Sequence, residues 1–231
     1  MSDPLLFVPG LMCTEALFAP QIAAFKDRPI MVADHRQHDR ISDIAAAILE
    51  KAPERFSLIG LSMGGYIAME IMREAPGRVS KLALLDTKSR ADTPEQSERR
   101  SFLIELTRKR GFAKVPHLLF PGFVHEKNEE NVGLKSIVVE MANDTGPDAF
   151  IRQQTAILHR IDSRQRLGEI DCPTLVMVGD GDRLTPPALS REIHERIPTS
   201  ELEVIPGSGH LTTLETPEAV TIALQKFMNL P

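Results

Sequence analysis

Short, nearly continuous apolar runs recur along the chain, and stretches with helical periodicity separate them. The runs occupy residues 5–8, 30–33, 56–60, 82–85, 175–179 and 202–205, and each stops at Gly, Pro or Asp. Apolar runs without alternation, spaced by helices, are the pattern of a parallel sheet buried on both faces. The intervening helices have readable ends. Ser42 and Asp43 are candidate caps for a helix over 44–51 that Pro53 stops. A helix over Met63–Glu74 follows the third run, Pro186 and Pro187 open one over 188–196, and Thr216-Pro217-Glu218 opens the last, through Phe227. Residues 88–166 break the rhythm: they are rich in Arg, Glu and Ser, with amphipathic segments at 102–110, 130–141 and 149–158 and no clear strand. The pattern predicts an α/β core of residues 1–87 and 167–231, doubly wound and mostly parallel, with a helical insertion at 88–166. Such an insertion lies over the strand ends where these folds bind ligands.

Composition narrows the function classes. The chain has 231 residues with 42% hydrophobic and 26% charged, enough for one large core and against a disordered or fibrous chain. The 27 Lys+Arg against 32 Asp+Glu give a net charge of -5, so no basic excess points to nucleic acid. Cys13 and Cys172 stand far apart and form no metal-binding spacing, and neither a metal nor a cofactor is expected. No apolar run approaches the ~18 residues of a membrane span. The apolar stretch beginning at Pro4 has Asp3 where a signal peptide carries basic residues, so it reads as a strand, and a cytoplasmic protein is the expectation.

One segment is chemically specific. Gly60-Leu61-Ser62-Met63-Gly64-Gly65 joins a strand directly to a helix. This is the Gly-x-Ser-x-Gly turn in the context that gives it meaning: a sharp strand-to-helix reversal that holds the Ser62 hydroxyl above the sheet edge. The reversal needs glycine at positions 60 and 64, and it sets the Met63 N–H at a helix N-terminus, where developing negative charge is favoured. With the Pro9-Gly10 loop after the first strand, an Asp-containing loop after the fifth and Gly207-Ser208-Gly209-His210 near the end, the chain resembles the α/β-hydrolase superfamily and its small, helical-capped serine hydrolases. The resemblance spans nearly the whole chain. Members carry two further strands before the one leading to the Pro-Gly loop, so about six strands are expected here. Residues 30–33 then become the sheet edge, which a second copy could cover as a homodimer.

A serine hydroxyl needs a base within hydrogen-bond reach, and the base needs an orienting carboxylate. Of seven histidines, the resemblance implies His210 as the base. His35, His38, His117, His125, His159 and His194 read as surface or cap residues. The resemblance places the acid at Asp182, within Asp180-Gly181-Asp182-Arg183-Leu184-Thr185-Pro186. Asp86, at the end of the fourth run, is the rival, with a structural role in capping the entry to the insertion. Asp180 reads as a turn residue. Two backbone N–H groups, of Leu11 and Met63, are implied as oxyanion donors. Met12 and Leu184 join them as substrate contacts on the pocket floor, and Phe102, Phe120, Phe123 and Met141 are lid candidates. Cys13 reads as a small buried or pocket-lining residue, and the basic run Arg108-Lys109-Arg110 as a solvated helix end. The implied activity is hydrolysis of a small carboxylic ester or lactone through Ser62, His210 and Asp182. C–C bond hydrolysis and perhydrolysis use the same residues, and a non-catalytic small-molecule receptor is the reading from a different class. The Pro206-Gly207-Ser208-Gly209-His210 loop and the segments Arg152-Gln153-Gln154 and Asp162-Ser163-Arg164 look most like the 3-oxoadipate enol-lactonase-like group.

Overall fold

The structure, a computed structural model, describes residues 3–229. Six strands, β1 (Leu5–Val8), β2 (Ile30–Val32), β3 (Phe56–Leu61), β4 (Val79–Leu85), β5 (Thr174–Gly179) and β6 (Ser200–Ile205), form one sheet in the order β2-β1-β3-β4-β5-β6. Every adjacent pair is parallel. The doubly wound sheet read from the apolar runs is therefore present. The fourth run begins earlier, at Val79, and the sixth at Ser200, because polar residues complete strands whose apolar stretches are shorter.

The continuous runs follow from burial on two sides. Leu6, Val8, Leu58, Leu82, Leu84 and Val176 pack on one face, together with residues of α2 (Ile41–Lys51), α3 (Met63–Glu74) and α8 (Pro187–Arg196). Leu5, Phe7, Ile59, Leu61, Leu85 and Met177 pack on the other, with α10 (Pro217–Met228), while α1 (Ala19–Ala24) and α9 (Thr212–Glu215) lie near it in the fold. The edge strands differ: β2 is only partly buried, and β6 alternates between exposed and half-buried positions until Ile205. Helix α2 begins at Ile41 rather than after Ser42 and Asp43, since Ser42 Oγ bonds the Asp43 carboxylate and Arg40 is the N-terminal boundary residue.

Between β4 and β5 lie α4 (Pro94–Leu106), α5 (Val115–Phe123), α6 (Val132–Thr145) and α7 (Pro147–Leu158), the helical cap. The 102–110 segment is not one helix. Helix α4 stops at Leu106, and a wider turn follows in which Arg110 takes a φ of 62°. Leu103, Val115, Leu119, Ala142 and Phe150 form a small apolar centre of the cap, and Met12 from the core enters it.

The chain leaves β1 toward β2, then returns to the opposite side of β1 with β3. This reversal opens a crevice at the C-terminal strand ends. Register sharpens the placement: Val8 stands beside Gly60, and Leu61 beside Leu85. The loops after β1, β3, β4 and β5 thus start side by side.

Candidate active site

Ser62 occupies the turn between β3 and α3 with φ 57° and ψ −113°. The strain is held from several directions. The Ser62 N–H donates to the Leu85 carbonyl at 2.9 Å, and its own carbonyl accepts from the Gly65 N–H at 2.9 Å and from Thr87 Oγ1 at 2.8 Å. A Cβ at Gly60 would collide with the Gly64 backbone, and one at Gly64 with the Val8 carbonyl, so both positions require glycine. Among the described residues, the non-glycines with positive φ are Met12, Ser62, Asp86 and Arg110. The first three sit on loops that converge at the crevice, where backbone strain concentrates in functional sites.

Asp182, Thr185 and His210 complete a hydrogen-bonded chain. His210 Nε2 lies 2.8 Å from Ser62 Oγ, and Nδ1 lies 2.8 Å from Asp182 Oδ2. Asp182 Oδ1 accepts from the backbone N–H groups of Leu184 and Thr185, both at 2.9 Å, and Oδ2 accepts from Thr185 Oγ1 at 2.6 Å. Burial pushes the Asp182 carboxyl up, but the charge and hydrogen bond of His210, with the hydrogen bonds of Thr185, outweigh it and leave the group below its ordinary value. An ionised Asp182 only accepts, so the imidazole carries its proton on Nδ1. Nε2 is then an acceptor for the Ser62 hydroxyl. Burial pushes His210 down, whereas the Asp182 charge and hydrogen bond, then the Asp86 charge, push it up by more.

The two N–H groups expected to receive an oxyanion lie on separate backbone segments. Met63 is the first residue of α3, so its N–H has no intrahelical acceptor. The loop after β1 turns at Gly10–Met12. There Cys13 N–H donates to the Gly10 carbonyl at 3.1 Å, and Met12 N–H donates to Gln153 Oε1 at 3.1 Å. Among the described residues, the N–H of Leu11 has no acceptor. Gly10, Leu11, Leu61, Ser62 and His210 border one cavity of about 240 Å³, closed on the cap side by Leu103, Leu119, Phe123 and Ile157. Ser62, hydrogen-bonded to an imidazole that a carboxylate orients, shares this cavity with the unpaired Leu11 N–H, and Met63, the next residue after Ser62, does not border it; such a set has the chemistry acyl transfer needs.

The model of the alpha/beta hydrolase fold family matches residues 28–217. The chain belongs to the α/β-hydrolase fold family. It is 29% identical over 243 residues to a proposed carbamate hydrolase, RutD, of Agrobacterium fabrum, covering 97% of this chain and 92% of the relative. Among solved structures it superposes on a thermophilic esterase from Thermogutta terrifontis, with malate bound, at a TM-score of 0.89 and 28% identity, covering 99% of this chain and 90% of the other. It also superposes on the enol-lactonase from Burkholderia xenovorans LB400 at a TM-score of 0.89, covering 100% and 92% of the two chains, and at 21% identity that likeness speaks for the fold.

Within this hydrolase, several sequence expectations change. Asp86 does not cap the insertion. It is fully buried beneath the histidine loop, where it accepts from the Gly179 N–H at 3.0 Å and from Thr212 Oγ1 at 2.5 Å. Burial, then the Asp182 charge, raises its pKa well above the usual carboxylate range. Asp180 is exposed and accepts from the Ser208 N–H, as a turn residue does. Leu11 and Leu184 border the cavity, but Met12 does not: its side chain is buried in the cap centre, and its N–H is committed to Gln153. Of the lid candidates, Phe123 faces the cavity and stacks on the His210 ring at a centroid distance of 6.3 Å. Phe102 is 59% exposed, and Phe120 and Met141 belong to the core. Arg108, Lys109 and Arg110 are exposed.

His35 is not a surface residue. It is buried, and its Nε2–H donates to the Gly10 carbonyl at 2.9 Å, pinning the loop after β1. Burial lowers its pKa, and a carbonyl partner keeps that proton on Nε2. Glu215 is a second support the sequence did not disclose. Its carboxylate accepts from the N–H groups of Gly209 at 2.8 Å and Leu211 at 3.3 Å on one oxygen, and from the His125 N–H at 2.7 Å on the other. It fixes the loop that carries His210.

Proposed function

We propose that this hydrolase cleaves a small carboxylic ester or lactone by two-step acyl transfer. Ser62 Oγ attacks the carbonyl carbon as its proton passes to His210 Nε2. The oxygen's negative charge is received by the N–H groups of Leu11 and Met63. Collapse breaks the bond to the leaving oxygen, which takes the proton back from His210. A water then loses its proton to the same nitrogen and attacks the acyl-enzyme; the bond to Ser62 Oγ breaks as that oxygen takes the proton from His210, releasing the acid and restoring both residues. Asp182 holds the imidazole in the tautomer that can accept, and stabilises it when charged.

The observation that carries this reading is the unbroken chain from Asp182 Oδ2 through His210 to Ser62 Oγ, at 2.8 Å for each contact, opening onto a cavity. The similarity to the Thermogutta terrifontis esterase favours ester chemistry. A cavity of about 240 Å³ suits a small molecule rather than a long acyl chain. The test is covalent labelling by a fluorophosphonate, followed by turnover of short esters and lactones. Labelling confined to Ser62 and abolished in Ser62→Ala supports the assignment; a folded protein that resists the probe and turns over no ester refutes it.

A further inference from the structure

The cap brings to the cavity wall a set of polar groups that acyl transfer does not use: Lys88, Gln96, Arg99, Arg100 and Gln154. Behind them lies Asp92, whose side chain is 1% exposed. Three cations share this one carboxylate. Lys88 Nζ approaches it at 3.1 Å, Arg100 Nε at 2.5 Å and an Arg160 nitrogen at 2.8 Å. Arg160 has further partners in the Ile157 and Arg90 carbonyls and in the Tyr66 ring, 4.3 Å from its guanidinium carbon. Lys88 and Arg100 have neutral amides instead: Gln96 Oε1 at 2.7 Å and Gln154 Oε1 at 2.8 Å. Positive charge therefore remains in excess on a half-buried wall, a costly arrangement unless an anion completes it. Lys88 reflects this, its pKa lowered first by burial and then by the Arg160 charge.

A second observation points the same way. Gln154 is fully buried, its Oε1 taken by Arg100, while its Nε2 has no hydrogen-bond partner among the described residues. A buried amide donor without an acceptor, bordering a cavity beside surplus cations, calls for an acceptor from the ligand. Arg99, exposed at the same cavity, makes no ion pair among the described residues.

We propose that this wall is an anion subsite and that the substrate carries a carboxylate at the end away from the scissile carbonyl, received by Arg100, Gln154 and Lys88, with Arg99 drawing it in. This rests on the reading of the cavity as an acyl-transfer site. The class is a short carboxylate-bearing ester or lactone: a planar guanidinium beside an amide donor matches a planar carboxylate, and the cavity's size limits the chain between the two ends.

The test compares kcat/KM for monomethyl glutarate and dimethyl glutarate, which differ in one charge. The monoanion is preferred by about 10- to 100-fold, the scale of hydrogen bonds to a charged group. In Gln154→Leu and in Arg99→Gln the preference shrinks severalfold or more, because turnover of the monoester falls further than that of the diester. Arg99 is exposed, so its variant folds even if a change at Gln154 disturbs the cap. In parallel, glutarate raises the melting temperature of Ser62→Ala and the neutral glutaramide does not. Both esters cleaved with equal efficiency would overturn the subsite and leave the ester reading intact. Neither ester cleaved, with glutarate still protecting, would uphold the subsite and overturn the ester reading. No protection by glutarate, or stronger protection by inorganic phosphate, overturns the carboxylate assignment.

Discussion

Replacing Asp182 with Asn tests the assignment of the acid, and the hydrogen bonds determine its consequence. The backbone N–H groups of Leu184 and Thr185 both donate to Oδ1. An asparagine must therefore keep its carbonyl oxygen there, since the flipped amide would set NH₂ against two donors. The NH₂ then takes the place of Oδ2, 2.8 Å from His210 Nδ1. A donor at that position forces Nδ1 to accept, and the imidazole proton moves to Nε2, facing Ser62 Oγ. The base then has no lone pair for the serine proton. The expected loss in kcat is roughly 10,000-fold, as for the wrong tautomer in other serine hydrolases, with the fold retained. Asp86→Asn leaves that tautomer untouched: its carbonyl oxygen can keep the Gly179 N–H, its NH₂ turns Thr212 Oγ1 from donor to acceptor, and the charge removed is more distant from the serine, so its loss stays below about tenfold, one pKa unit's worth of interaction. Short-ester hydrolysis at several pH values, with circular dichroism to confirm folding, measures both. If Asp86→Asn is crippled and Asp182→Asn retains most activity, the acid is Asp86 and the tautomer argument fails.

Two further outcomes follow from ionisation. Because His210 must be neutral to accept a proton and its pKa is raised, kcat/KM should climb with pH through a midpoint above the ordinary value of 6.5. A midpoint below 6.5 would contradict the pairing with Asp182. In Ser62→Ala the charged His210–Asp182 pair contributes stability that is complete below pH 6.5 and is lost as pH rises through the folded-state pKa, while the lowered Asp182 contributes stability above its ordinary value of 3.8 that is lost as pH falls through its folded-state pKa. Melting temperatures across pH read both. Cys13 borders the cavity, yet burial pushes its thiol up to about 12. Iodoacetamide at pH 8 should leave it unmodified in the native protein and alkylate it after denaturation; rapid native alkylation would show that the loop after β1 opens.

What was legible in the sequence was local. Continuous apolar runs report burial on both faces within a few residues, and the Gly60 to Gly65 turn carries its geometry in its own composition. The supports were not legible, because they are made between segments that meet only when the sheet forms. His35 reaches Gly10 across 25 positions, and Gln153 reaches Met12 across 141. Nothing in the spacing of Lys88, Asp92, Arg100 and Arg160 marks them as one cluster, since charged residues of a loop or helix ordinarily face water. The same holds for Asp86: a strand-ending Asp is a common cap, and only the return of Gly179 and Thr212 to its side shows its role. The sequence neighbours of Met12 point to the pocket, but its positive φ of 58° marks a turn in the chain there, and the side chain ends in the cap.

Helix α7 bears two adjacent glutamines with separate attachments. Gln153 holds the N–H of Met12 in the core, and Gln154 holds Arg100 in α4. Lifting α7 would strand a buried N–H, at a cost of about 1–3 kcal/mol before any apolar contact is lost. The helix is therefore a hinge post rather than a door. Elsewhere the chamber is bordered by Arg99 of α4 and by Arg183, both exposed.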